Sequence, residues 1–276
     1  MKVYKTKDSA VIYSKGNFYK RACHDWDAFI NRKGLFRLLQ KEIEDLSPLE
    51  NTGLIDNSLM PVGSQEIWAS GVTYQRSRAA RMKESRKSGG GSFYDRVYAA
   101  ERPELFFKAS AFRAVGDKGM VRIRKDSTWD VPEPELTLFI SSTGSIEGYT
   151  IGNDMSSRSI EGENPLYLAQ AKTYDGCAAL GPCIYVSDKP IDSQTIISME
   201  IIRNAEVVFG GKVAIENMKR KHRELVDFLF RECTFPNGCF LMTGTGIVPP
   251  DNFTLKIGDE IRIKVPPIGE LTNYVA

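Results

Sequence analysis

From Pro61 to the C-terminus the chain is dominated by short apolar runs separated by turn residues, a pattern that builds sheets rather than a helical bundle. The runs are Leu105-Phe106-Phe107, Val121-Arg122-Ile123, Leu136 to Ile140, Tyr149-Thr150-Ile151, Met199 to Ile202, Val207-Val208-Phe209, Leu255-Lys256-Ile257 and Ile261 to Val265. Gly116-Asp117-Lys118-Gly119, Ser142-Thr143-Gly144-Ser145 and Ile257-Gly258-Asp259-Glu260 are the tight turns between them. Two helices are predicted outside this β-rich body, over about 74–87 and about 216–231. The second carries Met218, Leu225, Val226 and Leu229 on one face. Residues 1–60 read as a small α/β lead-in. Strands are predicted at Lys2-Val3-Tyr4 and Ala10 to Tyr13, amphipathic helix from Trp26 to Leu39, and a linker at Pro48 and Glu50-Asn51-Thr52-Gly53. The expected fold class is α+β and β-rich: a catalytic-sized domain over 61–276 with peripheral helices, and a small N-terminal subdomain.

Charge and composition exclude several functions. Lys and Arg total 37 against 35 Asp and Glu, a net charge of +2, so no strongly basic nucleic-acid surface is expected. No apolar run is long enough to span a bilayer, and the first residues lack the apolar stretch of a secretory leader, so a cytoplasmic protein without membrane attachment is expected. The cysteines, Cys23, Cys177, Cys183, Cys233 and Cys239, have no CxxC spacing. His24 and His222 are the only histidines, and neither sits beside a nucleophile, which argues against a Ser-His triad or a multi-histidine metal centre. Any metal here should be a hard ion on carboxylates.

The carboxylates that fit are Glu133 and Glu135, in Val131-Pro132-Glu133-Pro134-Glu135-Leu136. On an extended chain, residues i and i+2 share a face, so the two acids project side by side and repel unless a cation lies between them. Pro132 and Pro134 supply no backbone N–H, so this end of the strand should not be fully paired. Tyr149 and Ile151 alternate in a strand that is expected to stop at Gly152, leaving Asp154 on the following loop. A hairpin of these two strands would bring Asp154 back towards Glu133 and Glu135. Two solvated glutamates at a strand start, and an Asp154–Arg158 surface ion pair, are the alternative readings of the same residues. Lys172 lies in the small, polar segment Gln170-Ala171-Lys172-Thr173-Tyr174-Asp175-Gly176 and would suit stabilisation of an enolate near a metal; an ordinary surface lysine is the alternative. Glu104 and Lys108 bracket the run Leu105-Phe106-Phe107, and Met242-Thr243-Gly244-Thr245-Gly246 is a glycine-rich turn without the Gly-Lys-Ser/Thr of a phosphate loop.

The order of these segments resembles the fumarylacetoacetate hydrolase family: Pro-Glu104-Leu-Phe-Phe-Lys108, Glu133-Pro-Glu135, Gly-Tyr-Thr-Ile-Gly-Asn-Asp154-Met-Ser-Ser-Arg158, Lys172 with Leu180-Gly181-Pro182, and Thr243-Gly-Thr245-Gly. The resemblance covers roughly residues 61–276. It implies a mixed β-roll with helices outside, and Mg²⁺ on Glu133, Glu135 and Asp154, with Mn²⁺ and Ca²⁺ as alternatives. It further implies Glu104 as acid/base, Lys172 on the enolate, and Tyr74, Lys108 and Thr245 as substrate contacts. Trp129 to Glu135 and Glu161-Gly-Glu-Asn-Pro-Leu-Tyr-Leu-Ala-Gln-Ala-Lys172 are similar to the branch that dehydrates 2-keto-3-deoxy sugar acids. The implied partners are a small 2-oxo acid and further copies of the chain, as a dimer or tetramer.

One departure separates the branches. Hydrolases of the family carry Tyr-x-x-His-x-x-Glu on a helix, where His and Glu activate water. Here Tyr74 is followed by Ser77 and Ala80 at those places. A dehydratase needs no activated water, so the loss favours dehydration over an acylpyruvate-type hydrolase or an oxaloacetate decarboxylase. The basic helix itself, with few apolar residues and the run Gly89-Gly90-Gly91 behind it, is expected to be a mobile lid hinged also at Ser70-Gly71.

Overall fold

The computed structural model describes residues 1–49, 53–84 and 91–276. In chain order the strands are β1 Lys2–Lys5, β2 Ser9–Ser14, β3 Asn17–Ala22, β4 Glu66–Gly71, β5 Glu104–Ala109, β6 Ala114–Val115, β7 Met120–Val121 and β8 Asp130–Ile140. They continue with β9 Ile146–Ser157, β10 Ala178–Tyr185, β11 Ile196–Arg203, β12 Glu206–Ala214, β13 Cys239–Met242, β14 Glu260–Val265 and β15 Gly269–Val275. The α-helices are α1 Trp26–Ile30, α2 Leu35–Glu42, α3 Gln75–Glu84, α4 Gly91–Ala99, α5 Arg158–Glu163, α6 Leu168–Lys172 and α7 His222–Leu229.

The strands form two mixed sheets. The larger runs β3-β2-β1-β10-β9-β8-β13-β4-β5, with β6 added beside β10; the smaller runs β12-β11-β14-β15-β7. Pairing is antiparallel except at β13–β4, β10–β6 and β15–β7. The lead-in over 1–60 joins the rest through one continuous sheet, because β1 pairs β10 at Lys2↔Tyr185 and Val3↔Ile184.

Strand alternation decides what each face of β8 meets. Leu136, Leu138 and Ile140 join Ile151 and Met155 in a core against Ile197, Met199, Ile201, Ile261 and Ile263 of the smaller sheet. Phe139, on the other face, belongs to a second core with Phe240 and with Trp26, Phe29, Leu35 and Leu39 of α1 and α2. Glu133 and Glu135 share the parity of Phe139, so they stand on the helix-covered face. Pro132 and Pro134 lie where β8 has β9 on one side, while β13 pairs only Thr137 to Ile140 on the other. That one-sided pairing is what makes two prolines tolerable.

Several expectations change. β9 runs on to Ser157, so Asp154 lies within a strand rather than on a loop; pairing with β8 on one side and β10 on the other overrides the Gly-Asn-Asp turn signal. Leu255-Lys256-Ile257 is not a strand: Leu255 is buried and its N–H bonds Asp130 O, but Ile257 is 77% exposed. The helix expected over 216–231 begins only at His222, and Met218 bridges Tyr74 instead. The helix expected from Trp26 to Leu39 is broken in two: α1 ends at Ile30 with Asn31 as its cap, and Gly34, at φ 75°, opens α2. The helix expected over 74–87 runs from Gln75 to Glu84; its last residues, and the segment Ser85 to Gly90, lie outside the described residues, as do Glu50, Asn51 and Thr52 of the expected linker. A helix starts at Gly91, within the expected flexible run. Among the described residues, no helix is long and apolar enough to cross a membrane.

The second core is also fastened by a charge. Glu147, buried on β9, accepts from Gly34 N (3.0 Å) and Leu35 N (2.9 Å), two amides that α2 itself leaves unpaired. Glu147→Ala is expected to destabilise the chain by roughly 2 kcal/mol, because both amides lose a charged acceptor and that of Leu35 is buried. Urea unfolding checks this; an unchanged midpoint would show that the bonds add nothing net.

Candidate active site

The β8–β9 register sets Glu133 directly across from Asp154 and Glu135 across from Gly152. Glu133, Glu135 and Asp154 are all buried, and each offers a carboxylate oxygen within 4.8 Å of the others. The hairpin therefore assembles the three acids inside the protein, and the readings as solvated glutamates and a surface Asp154–Arg158 pair do not hold. Arg158 is 1% exposed and its Nη2 donates to Glu133 Oε1 at 2.5 Å.

The three carboxylates differ in company. Glu133 Oε1 accepts from Arg158 and, at 3.3 Å, from Arg81 Nη2; its Oε2 accepts from Lys172 Nζ at 2.7 Å. Burial pushes the Glu133 carboxyl up, but Lys172, Arg158 and Arg81 outweigh it and hold the group well below the usual carboxylate range. Asp154 pairs with Lys108 Nζ at 2.6 Å and Lys172 Nζ at 3.1 Å. Glu135 has no ion pair among the described residues; its Oε2 accepts from Gly244 N at 2.5 Å. Burial, followed by Asp154 and Glu133, drives Glu135 well above the ordinary range, and Lys172 and the Gly244 N–H only partly oppose this. An oxygen-only donor set with one carboxylate short of positive charge fits a hard divalent cation.

Lys172 ends α6 with its ammonium on Glu133, Asp154 and Ser156 Oγ (2.6 Å). Lys108 is fully buried: its Nζ donates to Met155 O at 2.8 Å and to the Lys172 carbonyl besides pairing with Asp154. It therefore ties Asp154 to the end of α6. Tyr74 is 2% exposed with its hydroxyl unbonded among the described residues; burial and then the Glu135 charge raise that hydroxyl above its ordinary value. Thr245 Oγ1 exchanges bonds with the backbone of Ile247, both at 3.2 Å.

Glu104 opens β5 opposite Gly71, the last residue of β4. Its side chain has no hydrogen bond or ion pair among the described residues, and it keeps some solvent exposure. Burial raises its carboxyl above the usual value; Arg81 and Lys172 pull it back, while Glu133 and Asp154 add to the rise. Gly71, part of the expected hinge, also makes room for this carboxylate. A Cβ there would lie 2.1 Å from Glu104 Oε2, so the missing side chain is the space the carboxylate occupies. Gly71→Ala is expected to leave stability nearly unchanged, since a flexible carboxylate can swing away. Catalytic turnover should fall about 100-fold through the displaced acid. Turnover within twofold of wild type would show that Glu104 needs no such placement.

Residues 66–276 match the fumarylacetoacetate (FAA) hydrolase C-terminal family. The chain belongs to that family. A "Probable 2-keto-3-deoxyxylonate dehydratase" of Haloferax volcanii is 43% identical over 90% of this chain and 85% of its own length. The "2-dehydro-3-deoxy-D-arabinonate dehydratase" of Saccharolobus solfataricus is 42% identical over 78% and 73%. A solved structure described as "2-keto-3-deoxy-D-arabinonate dehydratase complexed with magnesium and 2,5-dioxopentanoate" superposes with a TM-score of 0.83 at 32% identity, over 100% of this chain and 98% of that one.

Against the family's hydrolases, α3 differs as the sequence indicated. Ser77 Oγ is turned onto its own helix, donating to Tyr74 O at 2.9 Å, and Ala80 offers no carboxylate. The side chain that α3 does send into the site is Arg81, which sequence reasoning missed along with Glu161 on α5. Arg81 is one of many basic residues in that helix, and nothing local marks it. Only its spacing of four from Ser77, which puts both on one face, distinguishes it.

Proposed function

We propose that the chain is a Mg²⁺-dependent hydro-lyase converting 2-dehydro-3-deoxy-D-arabinonate to 2,5-dioxopentanoate and water. The observation that carries this reading is the buried Glu133–Glu135–Asp154 triad beside Glu104 and Lys172, on a framework whose α3 lacks the water-activating pair. The two relatives' names agree more closely than they look. In the D series, 2-keto-3-deoxy-xylonate and -arabinonate are one compound, because C2 is a ketone, C3 a methylene, and C4 the remaining stereocentre.

Held by Glu133, Glu135 and Asp154, Mg²⁺ would supply Lewis-acid polarisation of the 2-oxo group and acidify the C3 hydrogens. The Lys172 ammonium stabilises the negative charge that develops on the C2 oxygen as a general base takes a C3 proton. Glu104, whose carboxyl burial raises above its ordinary value, gives its proton to the departing C4 hydroxyl, and a C3–C4 double bond forms. Loss of a C5 proton with reprotonation at C3 moves the double bond to C4–C5, and the resulting enol becomes the aldehyde. Lys108 holds Asp154 to the end of α6 rather than touching substrate. Tyr74, with its unbonded hydroxyl beside Glu135, is assigned to the substrate. Thr245 spends its hydroxyl proton on Ile247 O and keeps one lone pair with which to accept from substrate, and the same loop supplies the Gly244 N–H on Glu135. A homo-oligomer, dimer or tetramer, in the cytoplasm belongs to the same proposal; Phe112 and Leu166, 76% and 87% exposed, are apolar side chains that such contacts would cover.

The test is a panel of 2-keto-3-deoxy acids and acylpyruvates incubated with Mg²⁺ and read by product mass. One product lighter by one water is expected from the sugar acid. Two fragments from an acylpyruvate would establish a hydrolase instead.

A further inference from the structure

Helix α3 is held to the site by charge more than by apolar packing. Among its described side chains only Ser77 and Arg81 are buried, and Ser77 bonds its own turn. Arg81 reaches out of the helix with its guanidinium on two carboxylates: Nη2 lies 3.3 Å from Glu133 Oε1, and Nη1 pairs with Glu161 Oε1. Arg158 faces the same two acids, at 2.5 Å from Glu133 Oε1 and 3.8 Å from Glu161 Oε2. Two arginines and two glutamates thus close a buried ring, and Glu133 belongs both to this ring and to the metal-type triad.

Glu133 is therefore under two demands. Its Oε1 already accepts two guanidiniums and its Oε2 an ammonium. A divalent cation on the triad adds two positive charges to the same desolvated carboxylate. Of the three resident cations, Arg81 has the longest contact, 3.3 Å against 2.5 and 2.7 Å. It also stands on a helix with no buried apolar side chain among the described residues. The chain enters α3 through Val72, a β-branched residue at φ 53°, a conformation that only surrounding contacts can maintain.

On the metal reading given above, we propose that Arg81 couples the metal site to helix α3: Mg²⁺ and Arg81 compete for Glu133, so metal binding loosens the docking of α3 while Glu161 keeps the arginine tethered. Linkage makes the effect reciprocal, so removing Arg81 tightens Mg²⁺ by the factor through which Mg²⁺ loosens the helix.

The experiment measures hydrogen exchange over residues 75–82 and calorimetric Mg²⁺ affinity in the full chain, for wild type, Arg81→Met and Glu161→Gln. In wild type, MgCl₂ is expected to speed exchange roughly fivefold or more, a readout that needs no variant to fold. Arg81→Met should exchange fast with or without Mg²⁺ and bind the ion more tightly by a similar factor. Glu161→Gln should raise exchange in the metal-free state and keep a response to Mg²⁺. Fast exchange in Arg81→Met with unchanged Mg²⁺ affinity would mean a structural anchor only, and would overturn the coupling. Mg²⁺ binding to wild type with unchanged or slower exchange would overturn it too, leaving the metal reading in place. No Mg²⁺ binding to wild type would remove the metal reading and the coupling with it.

Discussion

Glu135→Gln is expected to abolish Mg²⁺-dependent turnover and to leave the metal-free protein at least as stable as wild type. Glu133→Gln should also abolish turnover but should destabilise the metal-free protein by roughly 3 kcal/mol or more. From sequence the two acids look equivalent, a repelling pair waiting for a cation. The structure divides them. Glu133 is clasped by Arg158, Lys172 and Arg81, so its neutral amide leaves buried positive charge uncompensated. Among the described residues Glu135 has no ion pair and accepts only from the Gly244 N–H, so its amide removes a charge that the distant pull of Lys172 only partly offsets. In both variants Mg²⁺ affinity should drop by at least about 100-fold, with loss of ion-induced stabilisation. The pH dependence separates them further. With its carboxyl raised in the folded state, Glu135 contributes stability that is lost as pH rises above the unfolded value near 4.5, through its higher folded value. Glu133, depressed, contributes stability that is present above about 4.5 and lost as pH falls below it. The metal-free melting temperature of Glu135→Gln should therefore gain on wild type with rising pH, and wild-type stabilisation by Mg²⁺ should grow over the same range, because the ion replaces a proton. Equal melting of the two variants at neutral pH would refute the division.

The sheet and the triad were legible because both rest on local periodicity. Glu-Pro-Glu fixes two acids on one face, and the hairpin Ser142 to Ser145 fixes their distance to Asp154 whichever way the strand ends. Asp154 was misplaced onto a loop because Gly152 and Asn153 carry turn signals, and a strand flanked on both sides does not obey them. β10 and β13 escaped notice. β10 reads as Ala-Ala-Leu-Gly-Pro, composition that suggests a turn, and becomes a strand through β1, β6 and β9 at its sides. The Arg81–Arg158–Glu161 cluster was the least legible. Arg81 stands on a basic helix with few apolar residues, Arg158 reads as a surface partner of Asp154, and Glu161 lies where no helix is expected; they are buried because they pair with one another and with Glu133. Complementarity between distant segments leaves no periodic trace in any one of them. Lys108 shows the same limit: its motif points to the site, but its bond to the Lys172 carbonyl comes from the packing of β5 against α6, which the motif does not show.

Glu104→Gln should produce the second large effect, a loss of turnover of roughly 10²- to 10⁴-fold with Mg²⁺ binding retained. Glu104 carries no ion pair or side-chain hydrogen bond among the described residues, so the amide breaks no contact that organises the triad. What it removes is a proton that the site is arranged to hold. Burial keeps the acid form present above the ordinary carboxylate range, although Arg81 and Lys172 pull against it. A carboxyl raised in this way costs stability as pH climbs through its folded value, where it must ionise in a poorly solvated place. Glutamine resembles the protonated acid and never ionises. The variant should therefore melt with wild type at acid pH and above it at alkaline pH. In wild type, turnover should fall over that same rise in pH, as the proton for the C4 hydroxyl is lost. A structural role for Glu104 would give the opposite pattern, lower melting at every pH with turnover falling in step. Turnover within tenfold of wild type, with the alkaline limb intact, would move the proton donor to another group, and Tyr74, whose hydroxyl is unbonded beside Glu135, would be the next to test.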